Sequence, residues 1–155
     1  MKKRVLDENV YYTIAWSRLF TFGDKFSASR ILPELPGILG IYEKRHNGEP
    51  KCLLFYGCWR DGLRLGLKNF FDPIFSKNKI LAATMLETDL LYKYTVVDTN
   101  PLDMKDILYW LICEYSPEYN SVTTFLDSKR HANISVREIE MRKDQIVDNI
   151  PEFGL

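Results

Sequence analysis

At 155 residues, 46% of them apolar and 27% charged, the chain holds enough material for one packed core and too little for two. Twenty-one basic residues meet twenty-one acidic ones, which excludes a general field that would draw the molecule onto polyanions, so any nucleic-acid contact has to come from a local patch. Three cysteines, Cys52, Cys58 and Cys113, stand at no metal-ligand spacing and exclude a disulfide framework and a zinc site; they read as reduced core residues.

The opening "MKKRVLDENVYY" meets Asp7, Glu8 and Asn9 before any apolar run of useful length, so no secretory signal and no membrane span is expected, and the expected location is cytoplasmic. From Val10 to Phe26 aromatic residues follow one another with mixed periodicity, and strand and helix both stay open. "LPELPG", Leu32 to Gly37, breaks any element. "ILGIYE" and "CLLFYGC" then read as the two strands of a hairpin around Asn47-Gly48. In "DGLRLGLKNFF", Leu63, Leu67 and Phe70 share one helical face while Arg60, Arg64 and Lys68 recur every four residues on another, predicting an amphipathic helix with a basic stripe. "KNKILAATMLETD" holds a further short helix, and "LLYKYTVVD" is a third strand rich in β-branched and aromatic residues. Asp103 reads as the N-cap of a helix over "MKDILYWLICEY", which buries Ile107, Leu108, Leu111 and Ile112 and stops before Pro117. The charged stretch "ISVREIEMRKDQIVDNI" reads as a surface helix or docking tail.

Four pieces in this order resemble the GIY-YIG endonuclease family: "PGILGIY" (Pro36 to Tyr42), "FYG" (Phe55 to Gly57), the arginine-bearing helix after it, and "LICEYSPEYN" (Leu111 to Asn120). The last is the best match, and its final asparagine is the family's tie from loop to sheet. The resemblance implies an α+β fold with a small three-stranded antiparallel sheet flanked by helices, occupying residues 32–121. Residues 1–31 are then an N-terminal extension packing on the core, and residues 122–155 a C-terminal helical extension. It further implies metal-dependent cleavage of phosphodiester bonds, in which a tyrosine hydroxyl helps activate water, an arginine meets charge on the phosphate, and a glutamate holds a divalent ion.

The chain departs from that pattern where the chemistry lies. Counting back from Leu111-Ile112 and Asn120, the metal-binding glutamate falls at Leu108, which offers no oxygen to a hard cation; Asp106 and Glu114 point elsewhere on the helix. The tyrosine of the second motif is Phe55. The first motif reads either as Gly37 to Leu39, directly after Pro36, or as Gly40 to Tyr42; the Pro-Gly register is preferred because it leaves the hairpin a simple inserted loop, and the two registers turn opposite strand faces to the site.

The candidate catalytic residues are therefore Tyr42, Tyr56 and Arg64, with Arg60, Arg64, Lys68 and Trp59 as nucleic-acid contacts, Gly57 and Asn120 as structural motif residues, and no metal ligand set. Each has a plainer reading: Arg64 as one member of a solvated helix face, Tyr42 and Tyr56 as core, Trp59 as packing over the sheet end. The expectation is a domain with a degenerate cutting apparatus, kept as a nucleic-acid-binding or interaction module, DNA being the first partner to test and no cofactor needed. The alternatives are an active, divergent endonuclease using Mg²⁺ or Mn²⁺, and a regulatory subunit that docks a protein partner through its C-terminal stretch. Fold alone does not decide among them.

Overall fold

The computed structural model describes residues 1–23, 30–121 and 124–142. In chain order the described elements are β1 (Lys2–Leu6), β2 (Asn9–Trp16), β3 (Phe20–Thr21), β4 (Gly37–Glu43), β5 (Lys51–Cys58), α1 (Gly62–Phe70), α2 (Lys79–Met85), β6 (Leu90–Val96), α3 (Pro101–Tyr115) and β7 (Asn133–Glu140). The architecture is α+β, with two sheets instead of the single three-stranded one expected: a four-stranded antiparallel sheet in the order β3-β6-β4-β5 and a three-stranded sheet in the order β1-β2-β7. The hairpin β4-β5 and the third strand β6 form where Pro36, Asn47-Gly48 and the β-branched run place them, and the short β3 adds a fourth strand beside β6.

The second sheet is built from both ends of the chain. Within the open Val10 to Phe26 segment the chain is strand in β2 and β3, its last residues, 24–26, lying outside the described ones: Val10, Tyr12, Ile14 and Trp16 are buried on one face, while Tyr11, Thr13 and Ala15 face away. The stretch expected to be a surface helix is a strand over Asn133–Glu140, paired in parallel with β2; the residues beyond Arg142 lie outside the described ones. The strand is masked in the sequence because the face β7 turns inward carries Glu138 beside Ile134 and Val136, so the alternation of apolar and polar residues breaks halfway. Trp16 Nε1 donates to Glu138 Oε1 at 2.7 Å, giving that carboxylate a partner under the sheet.

Two apolar clusters flank the four-stranded sheet. On one face Leu39, Ile41, Tyr92 and Tyr94 meet Leu63, Leu67 and Phe70 of α1. On the other, Ile38 and Phe55 meet Met104, Ile107, Leu108 and Leu111 of α3 together with the inward row of β2. α3 is capped by Asn100, not by Asp103: the Asn100 side chain accepts from Asp103 N at 2.9 Å, and Pro101 sits in the first turn, where its missing N–H costs nothing. Asp103 is thereby released for other partners. α1 starts at Gly62, which leaves Arg60 outside the helix and shortens the basic stripe to Arg64 and Lys68.

Candidate functional site

β5 is an outer strand of the four-stranded sheet, and the segment after α3 covers part of its free edge. Ser116 takes a left-handed conformation (φ 44°) and turns the chain, after which Tyr119 N donates to Leu53 O at 2.8 Å. Asn120 completes the cover with both ends of its amide: Oδ1 accepts from Phe55 N at 2.7 Å and Nδ2 donates to Phe55 O at 3.1 Å. Past Phe55 the cover stops. A groove of about 490 Å³ opens there, with Tyr56 and Gly57 of β5, Phe70 of α1, and Met104, Lys105 and Leu108 of α3 on its walls.

Gly57 and Leu108 make this groove what it is. A Cβ at position 57 would stand 2.7 Å from Leu108 Cδ1 and 3.2 Å from Met104 Sδ, so glycine is what lets α3 seat its apolar face on β5. Leu108 is buried in that seat. A hard divalent cation needs several oxygen ligands, carboxylates above all. The groove offers phenols from Tyr56 and Tyr119 and the amides of Asn78 and Asn120, no carboxylate lines it among the described residues, and nowhere among them do three His, Cys, Asp or Glu side chains gather to hold a metal. These residues do not fit the ion that the family resemblance implies.

The three candidate catalytic side chains do not converge. Tyr56 lies across from Leu39 on the α1 face, with its ring 5.0 Å from that of Phe70, and burial pushes its hydroxyl above the ordinary phenol range. Tyr42 shares the opposite face with Gly40 and Phe55, beyond a bulge between Ile41 and Tyr42. Burial first, and then the neighbouring Cys52 thiol, raise its hydroxyl far above that range, so neither phenol is poised to lose a proton near neutrality. Arg64 is committed as well: Nε donates to Leu32 O at 3.0 Å and Nη1 meets Glu34 Oε1 at 2.8 Å. The shallow surface it shares with Lys68 also contains Glu34 and Asp61, so its charge is mixed. Arg60 is exposed, and Trp59 is half-buried against the α3-side core.

Two lysines escaped the sequence reading. Lys105 stands on the groove wall, its place hidden in the ordinary polar face of α3. Lys93 is a lone cation in the central strand β6, a signal that was present in "LYKYT"; its Nζ lies 4.5 Å from the ring centroid of Trp16 and 5.4 Å from that of Tyr42. Burial lowers its pKa, an effect partly offset by Glu138, Cys52 and Glu140.

Among solved structures the chain is similar to the GIY-YIG N-terminal endonuclease domain of UvrC from Thermotoga maritima. A point mutant of that domain bound to its catalytic divalent cation matches at 21% identity and a TM-score of 0.43, over 63% of this chain and 94% of that one. The same domain bound to magnesium matches at 20% identity and a TM-score of 0.42, over 63% and 96%. No curated protein matches the sequence. Residues 1–152 match a family model whose description is "Uncharacterised protein", and this span, nearly the whole chain, makes the protein a member of that family.

Proposed function

We propose that the chain is a GIY-YIG-like domain that has lost the cutting apparatus and works as a nucleic-acid-binding module. One observation carries this reading: at the position where the family resemblance calls for a metal-holding carboxylate, Leu108 is packed against Gly57 in a groove that no acid lines among the described residues. In-line attack on a phosphodiester needs both an activated water and a preorganised positive charge. The separation of Tyr42 from Tyr56 on opposite sheet faces, and the pairing of Arg64 with Glu34, support the same conclusion.

The test has two arms. Supercoiled plasmid incubated with the protein at high concentration should stay intact across Mg²⁺ and Mn²⁺, and nicking that disappears in Arg64→Ala would overturn the loss of activity. Binding to DNA should weaken steeply as salt is raised, because cationic contacts displace condensed counterions.

A second reading is favoured by one surface feature. Ile74, Phe75 and Ile80 are 75%, 68% and 85% exposed around the start of α2, an apolar group that suits a protein partner. DNA affinity absent or flat across salt would favour this interaction subunit over the first reading.

A further inference from the structure

The sheet β1-β2-β7 turns one face to the core and the other to solvent, and its outward face has an unusual charge distribution for a chain of zero net charge. Pairing fixes the rows. Lys2, Thr13 and Arg137 stand side by side across the three strands; Arg4, Tyr11 and Ser135 form the next row; Leu6, Asn9 and Asn133 the last. Three cations therefore share this face. The only carboxylates within the three strands, Glu138 and Glu140, occupy the alternate positions of β7, and Glu138 is bonded to Trp16 on the inner side. Asp7 and Glu8 lie in the turn beyond Leu6, at the far end from Lys2 and Arg137.

Among the described residues no ion pair engages Lys2, Arg4 or Arg137, whereas Lys3, on the inward face, is bonded to Asp103. Tyr11 is 42% exposed in the middle of the cationic rows. Two shallow grooves of about 610 and 350 Å³ cross the face, the first along Lys2, Arg4, Leu6 and Tyr11, the second along Lys2, Thr13, Ala15 and Arg137. By contrast the α1 surface sets Arg64 and Lys68 against Glu34 and Asp61.

We propose that this outward face binds single-stranded nucleic acid, with the backbone phosphates on Lys2, Arg4 and Arg137 and an unpaired base stacked on Tyr11. The inference rests on the nucleic-acid reading given above and assigns it a surface. Charge complementarity selects a polyanion: Lys2 and Arg4 stand two residues apart on β1, roughly 7 Å, Arg137 lies two strands away on β7, roughly 10 Å, and among the described residues no acid within the three strands shares their face. The exposed phenol ring selects bases that are free to stack, which a duplex keeps inside its own stack. The face is open to solvent, so a single strand can lie across it along the two shallow grooves.

The test is fluorescence anisotropy of a labelled twenty-nucleotide deoxythymidine strand titrated with the full chain at low salt. Its duplex with deoxyadenosine and unlabelled heparin serve as competitors. With three phosphates neutralised, the logarithm of the binding constant should fall against the logarithm of salt with a slope of about −2. The variant Lys2→Gln/Arg4→Gln/Arg137→Gln should bind at least tenfold more weakly with a flattened slope. Tyr11→Ala should lose about tenfold while Tyr11→Phe, which keeps the ring, holds wild-type affinity. All four positions are on the outward face, and unchanged thermal melting of each variant establishes that the fold is kept.

Binding that survives the sheet variant but falls in Arg60→Gln/Arg64→Gln/Lys68→Gln would overturn this surface and leave the nucleic-acid reading standing. Equal affinity for the duplex would overturn the proposal, as would indifference to Tyr11→Ala with heparin competing as well as the single strand. No binding by the wild-type chain at low salt would overturn both readings.

Discussion

Asn120 closes two backbone groups of β5 with one side chain, and its removal leaves the Phe55 N–H and C=O facing the groove without that partner. At about 1 kcal/mol for each bond, Asn120→Ala should lower the unfolding free energy by about 2 kcal/mol in a urea titration. Asn120→Asp, which keeps the acceptor and loses the donor, should fall between the two; an unchanged midpoint in both variants would refute the role. This tie was implied by the resemblance of "LICEYSPEYN" to the family's closing segment, and an amide carries the donor and the acceptor in one group. The role of Asp103 was not legible in the sequence. The local pattern suggested a cap, but Asn100 before Pro101 holds that position, and the groups that bind Asp103 instead, Lys3, Tyr12 and Arg130, lie 100, 91 and 27 positions away. No local spacing signals such partners.

Elements approach each other here through glycines, and what stands opposite each glycine ranks the cost of filling it. At Gly37 a Cβ would meet Thr95 O at 2.3 Å and Leu63 Cδ1 at 2.7 Å; at Gly57 it would meet only side-chain atoms, Leu108 Cδ1 and Met104 Sδ. Side chains can turn away and a paired strand's carbonyl cannot. Gly57→Ala should therefore cost about 1–3 kcal/mol, as overpacking does, and Leu108→Ala in the same chain should relieve part of it. Gly37→Ala should cost more than Gly57→Ala, and the reverse order in denaturation midpoints would sink the argument. The core strands β4, β5 and β6 were readable because turn residues frame them and apolar runs fill them. β2 was obscured by Tyr11 and Ala15 on its outward face, and β7 by Glu138 on its inward one, since both blur the period of two that marks a half-buried strand.

At the scale of the whole molecule, Asp103 and Asp106 join segments from both ends of the chain. Lys3 Nζ and Arg130 Nη2 each lie 2.9 Å from Asp103 Oδ1, Tyr12 donates to the same oxygen at 2.8 Å, and Arg130 also reaches Asp106 Oδ2 at 3.0 Å. Ser128 donates to Asp106 through its N–H at 2.7 Å and its hydroxyl at 2.8 Å. The Lys129–His131 run, which by composition could meet a phosphate, thus has its arginine turned inward. Burial by itself would raise the Asp103 carboxyl, but the bonds from Lys3, Thr99, Arg130 and Tyr12 outweigh it and hold the group well below the usual carboxylate range. A folded-state pKa below the unfolded one adds stability that is complete above the unfolded value near 4 and is lost as pH falls through and below it. Asp103→Asn should lower stability by about 3 kcal/mol at pH 7. The gap to wild type should narrow steadily in urea titrations below pH 4, and a gap independent of pH would exclude the charge as its source.

The parallel pairing of β2 with β7 has a consequence for biosynthesis. Asn9 and Asn133 meet side chain to side chain across 124 positions, so a nascent chain leaving the ribosome carries Val10, Tyr12, Ile14 and Trp16 with one flank bare until β7 has been translated. Such long-range closure is slow relative to the hairpins formed earlier, and the interval before it is when a chaperone or a neighbouring copy has most opportunity to claim that flank.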